Sequence, residues 1–113
     1  MASAARDIGI EIAARGGSVV VRVLGDLDLR TAPEMRIAVL AALERPGLES
    51  VVVELSAVRH MDNSGARSLL EAWQAAQERK ARFILTGVRE GPRRALGIMP
   101  RPAGPATAAP ASV

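Results

Sequence analysis

The stretch SVVVELSAVRHMDNSGARSLLEAWQAA, residues 50–76, decides the fold. Ser50 to Leu55 is a short, almost unbroken apolar run rich in valine, the pattern of a central strand covered on both faces. His60-Met61-Asp62-Asn63-Ser64-Gly65 breaks that run with polar residues and reads as a loop. Apolar side chains then recur at Ala66, Leu69, Leu70, Trp73 and Ala76, at the spacings of three and four that one helix face requires. The helix stops near the Glu78-Arg79-Lys80 charge cluster, and Arg82-Phe83-Ile84-Leu85-Thr86, closed by Gly87, supplies the next strand. A strand, a helix and a strand in this order make a right-handed crossover between parallel neighbours.

The segments on either side extend the same pattern. Val19 to Leu24 is a second β-branched run, broken only by Arg22 and ended by Gly25. Ile8, Ile10 and Ile12 alternate with Gly9, Glu11 and Ala13, the period of a half-buried strand, and Arg15-Gly16-Gly17-Ser18 joins these two strands as a hairpin. Thr31-Ala32-Pro33-Glu34 fits a capping box, with Thr31 as N-cap, Glu34 answering it and Pro33 in the first turn. The helix it opens is predicted to run to about Arg45, to bury Met35, Ala38, Val39 and Ala42, and to stop at Pro46-Gly47. A short third helix is predicted from Pro92 to Leu96. From Pro100 onward the prolines and alanines carry no hydrophobic periodicity, and disorder is expected over residues 100–113. The order β-β-α-β-α-β-α gives an α/β fold: a mixed, mostly parallel sheet of four to five strands with two or three helices. Two loops, Gly25 to Asp28 and His60 to Gly65, follow parallel strands and are predicted to project from one edge, where such sheets place their functional residues.

Composition narrows the function. The chain has 113 residues, room for one domain, and 49% of them are hydrophobic, which excludes wholesale disorder. Trp73 and Phe83 are its only aromatics, too few for a base-stacking platform, so the core is aliphatic. The chain has no cysteine, which removes thiol catalysis and thiolate metal sites; a single histidine, His60, removes multi-histidine sites. Net charge is +3, but Arg93, Arg94 and Arg101 against Glu90 leave +2 in residues 90–113 and +1 before them. The arginines alternate with acids, so no nucleic-acid-binding stripe forms. No apolar run approaches the ~18 residues that span a bilayer, the first ten residues lack a signal core, and a cytoplasmic location is expected.

Ser64 is the residue that stands out, because it lies where a strand-end loop turns into a helix. The free N–H groups of a helix start favour negative charge by roughly 0.3–1 kcal/mol, so a phosphate there is tolerated, and Gly65 leaves the hydroxyl uncrowded. The same residues also fit a plain structural role, with Ser64, Asn63 or Asp62 as the N-cap. His60, Asp62 and Ser64 lie too close in one loop to make the relayed hydrogen bonds of a catalytic triad, and no catalysis is expected. Asp26, Asp28 and Asp62 could hold Mg²⁺ only with several waters, and acids before a helix are commoner as turn formers; no metal or other cofactor is expected. Gly16-Gly17 lacks the pattern of a phosphate-binding loop.

Gly25-Asp26-Leu27-Asp28 with Thr31-Ala32-Pro33, then Val51 to Leu55, then Met61-Asp62-Asn63-Ser64-Gly65 resemble, in order and spacing, the STAS domain, and among its members the bacterial anti-sigma factor antagonists. The resemblance covers residues 7–98 and implies a STAS-like domain over residues 1–99. It implies that Ser64, the serine directly before the loop glycine, is phosphorylated by a serine kinase that is itself the anti-sigma factor. It also implies a serine phosphatase acting on the modified form, and a partner-binding surface at Asp26, Asp28, Asp62, Asn63 and Gly65. Unphosphorylated, such a protein binds the kinase and releases a sigma factor. A scaffold or accessory subunit of a lipid-transport or sensory assembly, independent of phosphorylation, is the other role the resemblance offers. The chain departs from the family at Asn63, where a Ser or Thr is usual, and at Gly91-Pro92 and Pro100, which interrupt the region where the family adds a closing strand and final helix.

Overall fold

The computed structural model describes residues 8–98, so the proline- and alanine-rich segment 100–113 and its expected disorder lie outside the described residues. The elements follow the predicted order: β1 (Gly9–Arg15), β2 (Ser18–Leu24), α1 (Ala32–Leu43), β3 (Ser50–Ala57), α2 (Asn63–Glu78), β4 (Arg82–Thr86) and α3 (Glu90–Ile98). The sheet has four strands in the order β1-β2-β3-β4. β1 runs antiparallel to β2 through the two-residue Gly16-Gly17 turn, in which Gly16 takes a φ of 59°. β2, β3 and β4 are parallel, the arrangement two crossover helices impose.

Alternate residues of the three parallel strands point into one aliphatic core. Val19, Val21 and Val23, Val51, Val53 and Leu55, and Phe83 and Leu85 meet Met35 and Val39 of α1 and Ala66, Leu69, Ala72, Trp73 and Ala76 of α2. The two aromatics stack on each other, with ring centroids 6.1 Å apart and planes 16° from parallel. The indole Nε1 of Trp73 is buried there without a hydrogen-bond partner.

Three sequence expectations need correction. β3 is not covered on both faces: Val52 and Glu54 share a face with Val20, Arg22, Ile84 and Thr86, all partly or fully exposed. A row of charge keeps that face wet, since Arg22 reaches Glu54 at 3.4 Å and Glu11 at 3.6 Å. The capping box at α1 does not form, because Thr31 has helical backbone angles and makes no side-chain cap bond. Its hydroxyl donates instead to the Asp26 carbonyl at 2.7 Å. Finally, α3 begins two residues before Pro92, at Glu90, and reaches Ile98; a proline in the first turn costs no intrahelical hydrogen bond.

Candidate functional site

The two loops after β2 and β3 meet and are bonded to each other. Leu27 forms an isolated parallel bridge with Met61; its N–H donates to the His60 carbonyl at 3.1 Å, and its carbonyl accepts from Asp62 N–H at 3.1 Å. A register shift between β2 and β3 at Arg22–Leu24 lies just before this junction and re-aims both loops. Leu27 is fully buried, so a single apolar side chain anchors the edge from below.

Gly65 completes the junction. A Cβ built there would lie 2.5 Å from the Leu27 carbonyl oxygen and 2.9 Å from its Cβ, so the first turn of α2 rests directly on the backbone of the other loop. Asp62 is the N-cap, accepting from Gly65 N–H at 2.9 Å through Oδ1, which assigns the cap among the three residues the sequence left open. Asn63 and Ser64 are the first two residues of the helix. Asn63 is exposed and Ser64 half-buried, and among the described residues no hydrogen bond holds the Ser64 hydroxyl.

Asp28 builds the other wall. Its Oδ1 accepts from Arg30 N–H at 2.9 Å, from Thr31 N–H at 3.1 Å and from the Thr31 hydroxyl at 3.2 Å, while Asp28 N–H donates to that hydroxyl at 3.0 Å. Desolvation raises the Asp28 pKa, but these hydrogen bonds and the charge of Arg30 together outweigh it and hold the carboxyl below its ordinary value. Asp26 points outward, its Oδ2 lying 3.4 Å from His60 Nδ1. Asp26, Leu27, Asp28, His60, Met61 and Asp62 line a shallow, open cavity of about 180 Å³.

The structure thus gathers Asp26, Asp28 and Asp62 around one depression and sets Asn63, Ser64 and Gly65 beside it on the first turn of α2. His60 faces Asp26, and among the described residues no hydrogen bond joins His60 to Ser64, so the two are not arranged as a nucleophile and its base. Sequence reasoning missed two contributors. Thr31 is buried, and its hydroxyl ties Asp26 to Asp28; its signal was masked by the capping-box pattern. Leu29, 73% exposed, puts a large apolar side chain in the same loop, a feature that only the solved turn reveals.

Comparison with known proteins fits this architecture. Residues 10–99 match the family model described as "Mlab, STAS domain". The chain belongs to the STAS domain family. Among solved structures, this STAS domain is similar to an anti-sigma factor antagonist from Mycobacterium paratuberculosis, at 24% identity and a TM-score of 0.70, over 80% of this chain and 76% of that one. It is similar to the Bacillus cell fate determinant SpoIIAA in its phosphorylated form, at 19% identity and a TM-score of 0.65, over 80% and 82% of the two chains. It also matches murine Slc26a9, an anion transporter, at 13% identity and a TM-score of 0.67, over 77% of this chain but 14% of the transporter. At these identities the likeness is one of fold. Among the described residues, no helix is long and apolar enough to cross a membrane.

Proposed function

We propose that this STAS domain is an anti-sigma factor antagonist that works by partner switching, with Ser64 as the switch. The observation that carries the reading is the position of Ser64: among the described residues its hydroxyl has no hydrogen-bond partner, and it lies on the first turn of α2, beside the edge where the loops after β2 and β3 are joined. The likeness to SpoIIAA, solved in both unphosphorylated and phosphorylated forms, supports it. In this reading the partner is an anti-sigma factor with serine kinase activity, and it rests on Asp26, Asp28, Asp62, Asn63 and Leu29 around the depression. Phosphorylation adds about −1.5 to −2 charge two residues from Asp62 and next to the Asp26–Asp28 loop. The helix start tolerates that charge within the domain itself, whereas a partner packed over it meets both repulsion and the cost of desolvating a phosphate. The complex separates, and a serine phosphatase restores the binding form. The protein is a substrate and a switch, with no reaction of its own.

A second reading is a STAS module that docks without being phosphorylated. Its support is the match to 14% of an anion transporter, a chain in which the same fold is one part of a longer polypeptide. One experiment separates the two. Immobilised wild-type, Ser64→Ala and Ser64→Asp proteins are incubated with extract of the native host, with and without ATP. The switching reading expects a kinase retained by wild type and released on adding ATP, retained by Ser64→Ala in both conditions, and weakly held by Ser64→Asp. Partners held equally by all three proteins in both conditions leave the second reading.

A further inference from the structure

We propose that the outer edge of β1, unpaired among the described residues, pairs antiparallel with the same edge of a second copy of this chain, joining two four-stranded sheets into one continuous sheet. β1 is the outer strand of the sheet, and over Gly9–Arg15 it pairs with β2 in unbroken register, with no bulge. The strand GIEIAAR holds neither lysine nor proline, and its two charges, Glu11 and Arg15, are of opposite sign, so they need not repel a second strand laid antiparallel along this edge. A two-residue hairpin makes Arg15–Ser18 a hydrogen-bonded pair, and the alternation then turns the N–H and C=O groups of Ile10, Ile12 and Ala14 outward. Ile12 lies on the helix-covered side, opposite Val21, yet is 55% exposed, a large apolar side chain at an open edge.

The sequence of the strand selects the occupant. In an antiparallel pairing about a two-fold axis at Ala13, Ile12 and Ala14 of each copy exchange outward hydrogen bonds. Ala13 meets Ala13 of the second copy at a close, non-hydrogen-bonded position where small side chains fit. Glu11 then stands opposite Arg15 of the second copy, twice by symmetry, on the open side of the sheet. Arg15 has no ion-pair or hydrogen-bonding side-chain partner among the described residues, and Glu11 is only loosely bound to Arg22 at 3.6 Å. The strand therefore complements itself in charge, in size and in hydrogen bonding, as an isologous interface requires. The pairing uses the lateral edge, so the Ser64 loop at the end of the parallel strands stays open in both copies, and the inference stands apart from the switching mechanism.

Sedimentation equilibrium of the full chain over a concentration series tests it. The wild type is expected to dimerise reversibly. Ala14→Pro removes an outward donor without touching the β1–β2 ladder, and is expected to give a monomer whose melting temperature stays within a few degrees. Arg15→Glu places carboxylates opposite each other and is expected to weaken the dimer by about tenfold. Combining it with Glu11→Arg restores opposite charges in mirrored order, and with them the dimer. A wild type that stays monomeric throughout, a dimer indifferent to Ala14→Pro, or a double variant that fails to recover would each overturn the pairing.

Discussion

Gly65 and Leu27 hold the two functional loops together at a contact with no room for a methyl group, since a Cβ on Gly65 would sit 2.5 Å from a backbone oxygen that is itself bonded to Asp62. The contact makes Gly65 a structural residue as well as a neighbour of the switch serine. Gly65→Ala is expected to cost about 1–3 kcal/mol, the usual range for overpacking, visible as a lower urea midpoint at unchanged slope. An unchanged midpoint would mean that the loops slide apart freely. Asp28 is equally committed to its own turn. Its folded pKa lies below the ordinary 3.8, so the stability it contributes is complete above that value and is lost as pH falls through the lowered one. Melting curves from about pH 6 to about pH 2 are expected to show a flatter acid limb for Asp28→Asn than for wild type. Parallel limbs would remove the Asp28 carboxylate from the stability of this turn. That α2 starts with a cap drawn from Asp62, Asn63 or Ser64 was legible, because the residue preferences of a helix start are local; that Asp62 takes it was shown by its bond to Gly65 N–H. The roles of Thr31 and Leu27 were not, because each depends on a partner from a distant carbonyl or loop.

At the scale of elements, α2 carries the site and its ends show how firmly it is set. Its N-terminus is fixed by Asp62, and its C-terminus closes with Lys80 N–H on the Gln77 carbonyl at 3.0 Å and Ala81 N–H on the Ala76 carbonyl at 2.9 Å. These bonds form a Schellman motif whose left-handed position is held by Lys80, at a φ of 60°, where glycine is usual. Lys80→Gly is expected to stabilise the fold by about 1 kcal/mol and to raise the melting temperature by about 5 °C, read by calorimetry. A destabilised variant would show that the lysine side chain makes a contact worth more than the backbone strain. The periodicity of Ala66 to Ala76 predicted this helix because its apolar stripe is regular. The capping box of α1 misled because Thr31-Ala32-Pro33-Glu34 satisfies a local pattern that Asp28 and the Asp26 carbonyl outcompete in three dimensions.

For the whole molecule, the parallel β2–β3 pair brings loops separated in sequence to one edge, and the helices stack on one side of the sheet. The element order was readable because each strand and helix has its own period. The open face was not, since three consecutive valines look alike whether one side or both are covered; only register places Val52 beside Val20 and Ile84 and away from the core. What the fold adds to the chemistry is a half-buried serine on the first turn of a capped helix, beside Asp28 and Asp62, whose carboxylates are tied into their own turns, and the outward-pointing Asp26. The switching account requires that serine to carry a phosphate in the cell. The most direct test is intact-mass analysis of the protein from its native host, before and after phosphatase treatment, with peptide mapping of the modified site. The account predicts a population heavier by one phosphoryl group, removed by the phosphatase and mapped to Ser64. An unmodified mass under every growth condition, or a phosphate mapped to another residue, would contradict it.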